Sequence, residues 1–264
     1  MDQRIPEPIQ PVLQNYLSLV NQQLPGVLQA FYVEGSIALG GFNERFSDID
    51  FIASLNHQAT PAEIEVLDRL HQAIEKSYPR WKVEGRYLPA HILDQINSPV
   101  EPALHYHDGV LHRDGHFELN SVDGWILKQH GITLVGPEPQ ALPFIVDWAA
   151  LITAMRQNLN SYWVGWTNRP TRLLIMLADW GIQWTVLGVL RQFYSFRENT
   201  ITTKLHAGEY ALTCLPARWH PLIREALRIR AGQKRSTYSF RLVRMVEAVR
   251  FLKFTIQTCN AHFA

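Results

Sequence analysis

Apolar positions recur at helical spacing from Pro11 to Leu24, through Val12, Leu13, Tyr16, Leu17, Val20 and Leu24. That spacing builds one buried helix face, and Pro25-Gly26 ends it. Gly26–Glu34 (GVLQAFYVE) and Asp48–Leu55 (DIDFIASL) are apolar runs of strand length. Between them Gly35–Ser47 reads as a glycine-containing turn and a polar loop. Thr60, Pro61 and Glu63 form a capping box ahead of the stripe Ile64, Leu67, Leu70, His71 and Ile74, and Ser77-Tyr78-Pro79 stops that helix. Trp81–Leu88 (WKVEGRYL) predicts a third strand. Residues 98–124 are poor in pattern and rich in His and Gly. Trp125–His130 predicts a short helix ended by Gly131, and Ile132–Val135 a short strand. The prolines of Gly136–Pro143 (GPEPQALP) then mark a boundary. From Phe144 onward helical periodicity dominates, with breaks near Asn168–Pro170, Asn199 and Gly232. The expected fold is an α/β domain with a small mixed sheet over residues 1–143, followed by an all-α helical bundle over 144–264.

Composition narrows the function classes. The 264 residues are 47% hydrophobic and 19% charged, enough apolar material for a packed core and against a disordered chain. Lys plus Arg number 25 against 24 Asp plus Glu, a net charge of +1. That balance argues against duplex-DNA binding by phosphate neutralisation. Within it, the last third carries a run of basic residues from Arg218 to Lys253, read as a solvated helix face or as a patch for an anionic ligand. No apolar run approaches the ~18 residues of a membrane-spanning helix, and MDQRIPEPIQ holds no apolar signal core. Cys214 and Cys259 are too few for a disulfide scaffold, so reduced thiols and a cytoplasmic location are expected.

The chemistry-bearing stretch is Gly35-Ser36 followed by Asp48-Ile49-Asp50. Glycine lets backbone amides approach a phosphate, and Ser36 offers a hydroxyl. Asp48 and Asp50, two apart on a strand, leave the same face. Two close carboxylates repel each other at neutral pH unless a cation sits between them. Mg²⁺ prefers oxygen and is commonly held by one or two carboxylates plus substrate phosphates. Glu84 on the next strand can reach the same place, there to help bind a second metal or to take a proton from an attacking hydroxyl. A phosphate cradle beside Mg²⁺ carboxylates is what nucleotidyl transfer needs. His105, His107, His112 and His116 also cluster, but no HExxH or Cys partner supports zinc, and they read as loop histidines near an acceptor cavity.

GSIALGGFNERFSDIDF resembles the GS…DxD signature of the nucleotidyltransferase superfamily. WILKQHGITLVGP, LGVLRQFYSFRENTITTKLHAGEYALTCLP and REALRIRAGQ resemble segments of the aminoglycoside 3''/9 adenylyltransferase family, so the likeness runs from about Gly35 to Arg250. It implies that Gly35, Ser36 and Ser47 meet ATP phosphates. It implies that Asp48 and Asp50, with Glu84, hold Mg²⁺, and that Glu84 is the base that deprotonates the antibiotic hydroxyl. Arg191 and Lys204 of the helical domain would reach across a cleft to the phosphates. This sequence also departs from the pattern. The Trp-containing segment of the streptomycin-modifying members has no clear counterpart in Val110–Glu118. An acidic position before the Arg191 helix falls near Gly181, with Asp179 two residues earlier, and an aromatic expected near Arg230 is Arg. Glu118 and Asp179 are the candidates for meeting a cationic acceptor.

The resulting expectation is transfer of AMP from ATP to a hydroxyl of an aminoglycoside or aminocyclitol, spectinomycin or streptomycin, with release of pyrophosphate and with two Mg²⁺ ions. The enzyme would act as a monomer on small molecules, with no nucleic-acid or membrane partner. The rival readings are the same chemistry on a lincosamide or metabolite, modification of a macromolecule, and a non-catalytic nucleotide-binding module.

Overall fold

The computed structural model describes residues 2–96 and 101–262. The chain divides into two compact units, one up to Asp147 and the other from Trp148. Phe144, beyond the proline-rich stretch, lies in the core of the first unit, and Val146 packs against that core.

The first unit contains α1 (Gln10–Gln23), β1 (Leu28–Val33), α2 (Gly35–Ala38), β2 (Ile49–Leu55), α3 (Pro61–Ser77), β3 (Val83–Pro89), α4 (Ala90–Leu93), β4 (Glu101–His107), β5 (Val110–Phe117), α5 (Val122–His130) and β6 (Ile132–Val135). Its strands form one six-stranded sheet in the order β5-β4-β3-β2-β1-β6. β2 and β3 run parallel, and every other neighbouring pair is antiparallel. The parallel pair needs a crossover, and α3 supplies it. The helix starts where its capping box sits, with the Glu63 N–H donating to Thr60 Oγ1 at 3.3 Å and the Thr60 N–H to Glu63 Oε2 at 2.8 Å.

Strand alternation gives the sheet two apolar faces. On one, Phe31 stacks on Phe51 at 4.9 Å, and Tyr16 of α1 and His71 of α3 close over Phe51 at 5.8 and 5.9 Å. On the other, Tyr32, Ile52 and Leu88 pack with Ile92, Phe117, Leu127 and Phe144. Strands buried on both faces show continuous apolar runs, which is why β1 and β2 are plain in the sequence.

Two expectations are corrected here. Residues 101–117, within the stretch expected to lack regular structure, form the β4–β5 hairpin. Its two-residue turn is Asp108-Gly109, with φ of 48° and 79°. Asp-Gly is a strong hairpin signal because both positions tolerate left-handed backbone. The histidines disguised the strands: Leu104 and Tyr106 are buried, while the alternate positions are His105 and His107. The Gly35–Ser47 segment, expected to be turn and loop throughout, opens instead with the short helix α2.

The second unit is helical. It contains α6 (Trp148–Asn158), a π-turn over Leu159–Trp163, α7 (Pro170–Ile175), α8 (Asp179–Glu198), α9 (Lys204–Cys214), α10 (His220–Arg230) and α11 (Arg241–His262). α8 is the hub, its Ile182, Val186, Leu187, Leu190 and Phe193 being buried among its neighbours. Asn199 ends it in left-handed backbone, where the sequence placed a break. The unit also buries charge. Glu225 accepts hydrogen bonds from Arg228 at 2.8 and 3.0 Å, from Arg244 at 2.9 Å and from Ser236 at 2.7 Å. Burial pushes the Glu225 carboxyl up, and those hydrogen bonds more than offset it, holding it at about 2. Among the described residues no helix is long and apolar enough to cross a membrane.

Candidate active site

β1 ends at Val33, and the chain turns at Gly35 with φ of 61° into α2. That turn lays the Gly35 Cα against Asp50 of β2. A Cβ at Gly35 would stand 2.1 Å from Asp50 Oδ2, so only glycine allows the approach. The Ser36 backbone N–H donates to the Asp50 carboxylate, and the Glu34 N–H donates to the Asp50 carbonyl at 2.9 Å. The turn is therefore tied to both ends of Asp50. The Ser36 hydroxyl is buried and finds no hydrogen-bond partner among the described residues.

β3 brings the third carboxylate. Asp50 and Glu84 are direct partners in the parallel register. Glu84 is held by the hairpin: its Oε2 lies 2.5 Å from His107 Nδ1, and its Oε1 accepts the Asp108 N–H at 3.1 Å. Asp48 lies just before β2 and is half-buried. Ser47 accepts the Asn43 N–H at 3.0 Å and so shapes the loop that leads to Asp48.

Two further acids crowd this place, neither of them singled out in the sequence. Glu34 is buried beside Asp50 and Asp123, and Asp123 in the first turn of α5 pairs with Arg86 at 2.7 Å. Burial, and then Asp48, Asp123 and Glu84, push the Asp50 carboxyl up to about 7. Burial, and then Asp123 and Asp50, push Glu34 well above the usual carboxylate range. Acids crowded this closely repel one another even with Arg86 and Lys82 beside them, the condition that a hard cation relieves. Among the described residues no group of three or more His, Cys, Asp or Glu side chains is arranged to hold a metal ion. The donor set instead suits Mg²⁺ bound by one or two carboxylates and completed by substrate phosphate. The unpartnered Ser36 hydroxyl fits the same phosphate.

The remaining predicted residues fall elsewhere. Arg191 is half-buried on α8. Lys204 is the first residue of α9, and its Nζ lies 4.1 Å from the centre of the Trp184 ring. Trp184 stacks on Trp180 at 5.2 Å. Arg230, in place of an expected aromatic, is buried near Arg191, with its Nη1 3.4 Å from Gln183 Oε1. Asp179 pairs with Arg244 at 2.7 Å and with Arg228 at 3.6 Å, so its carboxylate already has cationic partners. Glu118 is exposed just beyond β5. The residues that sequence reasoning missed are Glu34, Asp123, Arg86 and the specific part of His107. Only Glu34, directly before Gly35-Ser36, carried a positional clue.

Known proteins resemble this chain in sequence and in fold. A family model described as aminoglycoside adenylyltransferase, C-terminal domain, matches residues 146–254. An aminoglycoside (3'') (9) adenylyltransferase of Rhizobium radiobacter is 29% identical over 128 residues, an alignment that spans 48% of this chain and 43% of that relative. A protein of the same name from Escherichia coli is 23% identical over 268 residues, covering 91% of this chain and 92% of its own. The crystal structure of spectinomycin adenyltransferase AAD(9) from Enterococcus faecialis with ATP and spectinomycin superposes with a TM-score of 0.71 at 15% identity, over 92% of this chain and 99% of that one. At that identity the likeness establishes the fold, a nucleotidyltransferase-like sheet domain and a helical domain. In its helical half, in near full-length alignment and in fold, the chain is thus similar to aminoglycoside (3'')(9) adenylyltransferases.

Proposed function

We propose that this chain transfers AMP from ATP to a hydroxyl group of an aminocyclitol or aminoglycoside antibiotic. The observation that carries the reading is the placement of Gly35-Ser36 directly on Asp50, with Glu84 beside Asp50 in register. ATP and spectinomycin are named for the Enterococcus relative, and that supports the same donor and the same class of acceptor here. Of the two drugs, spectinomycin is favoured, because the Trp-containing segment of the streptomycin-modifying members has no clear counterpart in Val110–Glu118. A cytoplasmic place of work, and a monomer acting on small molecules without nucleic-acid or membrane partners, belong to the same reading.

In this reading the acceptor oxygen attacks the α-phosphorus of ATP and the bond to the β-phosphate oxygen breaks. Pyrophosphate leaves, and the hydroxyl proton passes to Glu84. Asp48 and Asp50 are assigned to Mg²⁺, two ions being expected. Bound there, Mg²⁺ would neutralise charge on the phosphates of the transition state. Glu84 is assigned as the base and, beside Asp48 and Asp50, as a candidate Mg²⁺ ligand. The Gly35-Ser36 turn would seat the phosphates, with Ser47 beside it. Arg191 and Lys204, on the second unit, carry cationic groups of the kind that meet phosphate. Glu118 is left as the exposed candidate for a cationic acceptor, and Asp179 is demoted by its ion pairs.

The test is pyrophosphate release from ATP and Mg²⁺ with spectinomycin and with streptomycin, in the parent and in Asp50→Asn. Release with either drug, absent in the variant, supports the reading. ATP binding without release on either drug sends the search to lincosamides, metabolites or macromolecules as acceptors.

A further inference from the structure

Glu84 is held more firmly than a freely swinging glutamate would be. Both of its hydrogen-bond partners come from the tip of the β4–β5 hairpin. The Asp108-Gly109 turn, left-handed at both positions, directs the Asp108 N–H onto Glu84 Oε1 at 3.1 Å. The residue before it, His107, presents Nδ1 to Glu84 Oε2 at 2.5 Å. The imidazole is fixed from other sides as well. His105 stacks under it with ring centres 5.5 Å apart and planes 13° apart. Asp108 Oδ2 lies 3.3 Å from His107 Nε2, and Lys82 donates to Asp108 Oδ1 at 2.7 Å. The Glu84 side chain is 9% exposed and that of His107 is 51% exposed, so the imidazole stands on the solvent side of the carboxylate.

From this geometry we propose that His107 is a positioning residue for Glu84, fixing the direction in which the carboxylate meets the acceptor hydroxyl. The inference rests on the reading of Glu84 as the group that takes the hydroxyl proton. A glutamate has three side-chain torsions, and an unheld one spends most of its time aimed elsewhere. One donor on each oxygen leaves the carboxylate a single orientation. The remaining lone pairs then point in one direction, and misplacement of a reacting group by about 1 Å can cost a hundredfold in rate. The hydroxyl proton ends on Glu84, and His107 keeps its own.

The experiment is steady-state kinetics of the full chain with ATP, Mg²⁺ and spectinomycin or streptomycin. His107→Ala is expected to lower kcat about ten- to a hundredfold with the KM for ATP changed less than about twofold, by analogy with the range found when the orienting partner of a metal ligand is removed. His107→Asn, whose amide N–H can stand where the Nδ1–H stands, is expected to recover most of that loss. Because His107 is half exposed, neither change is expected to unfold the protein. A His107→Ala variant within twofold of the parent, or an Asn variant as slow as Ala, overturns the proposal. Glu84→Gln separates the two readings. If it turns over at the parental rate, Glu84 is not the base. If it is inactive while His107→Ala is unimpaired, only the positioning role falls. Imidazole ¹⁵N NMR gives a readout that needs no acceptor: the His107 ring signals are expected to show a proton on Nδ1 and to move in Glu84→Gln, and unmoved signals overturn the contact.

Discussion

The Gly35→Ala variant places the sharpest demand on the proposed site. Two effects are separable. Alanine in left-handed backbone costs about 1–2 kcal/mol. The new methyl would also stand 2.1 Å from Asp50 Oδ2, 2.7 Å from its Cγ and 2.9 Å from its Cβ. An ordinary C···O contact is roughly 3.3 Å, so Asp50 or the turn must give way by about 1 Å. That displacement moves the carboxylate assigned to Mg²⁺ and pulls at the Ser36 N–H that it accepts. A shift of that size at a reacting centre costs on the order of a hundredfold. Gly40→Ala is the matched control, because Gly40 has φ of 70° and a Cβ there meets nothing within 4 Å. Both variants are expected to lose about 3–6 °C in Tm from the backbone term. Pyrophosphate release is expected to fall at least about a hundredfold in Gly35→Ala and to stay near parental in Gly40→Ala. Equal activity in the two variants would refute the argument, since it would mean that contact with Asp50 does not matter to the reaction.

Three other outcomes follow from particular contacts. Asp50→Asn is expected to abolish Mg²⁺-dependent release and, in chelator, to raise the Tm above the parent's at pH 8, because burial and neighbouring acids raise the parent carboxyl to about 7 and its ionisation opposes folding; an unchanged or lower Tm counts against this. Burial holds the His71 imidazole at about 3, whereas the unfolded chain takes up that proton near 6.5; stability is therefore full above pH 6.5 and lost as pH falls, by about 2 kcal/mol at pH 5, and His71→Gln should flatten a denaturation profile measured over that range. Arg244→Met removes one partner of the buried Glu225 and one of Asp179, and is expected to cost about 3 kcal/mol or more, or roughly 6–12 °C in Tm by calorimetry; a loss below about 1 kcal/mol would show that Arg228 and Ser236 together satisfy Glu225.

Much of the fold was legible where the signal is local. β1 and β2 are continuous apolar runs because both sheet faces are covered. α3 begins at Thr60 because the Thr60–Glu63 exchange lies within four residues. The helical second half declared itself through periodicity, and Asn199 ends α8 as its sequence suggested. The hairpin at 101–117 was missed because its polar face is built of histidines, and a period of two is hard to see when the alternate residues are neither plainly apolar nor charged. For the candidate site, Gly35, Ser36, Asp48, Asp50 and Glu84 stood out in the sequence as a glycine turn followed by acids on neighbouring strands, the pattern proposed to hold phosphate and Mg²⁺. Asp179 was picked as an acid that could meet a cation, and it does meet cations, but they are Arg244 and Arg228.

By itself, then, the sequence determined the strands and helices whose spacing and caps are written over a few neighbouring residues, and the residue types able to do the chemistry. Only the tertiary structure decided who meets whom. It put Glu84 in register with Asp50, laid Gly35 against the Asp50 carboxylate, and folded the Asp108-Gly109 turn back so that His107 and the Asp108 amide hold Glu84. It also drew Glu34 and Asp123 into the same acidic place and took Asp179 into an ion pair. The physical reason is separation along the chain. Helix periodicity and capping are settled within one or two turns, whereas strand register and the partner of a carboxylate are settled by the packing of segments tens of residues apart, which no local pattern encodes.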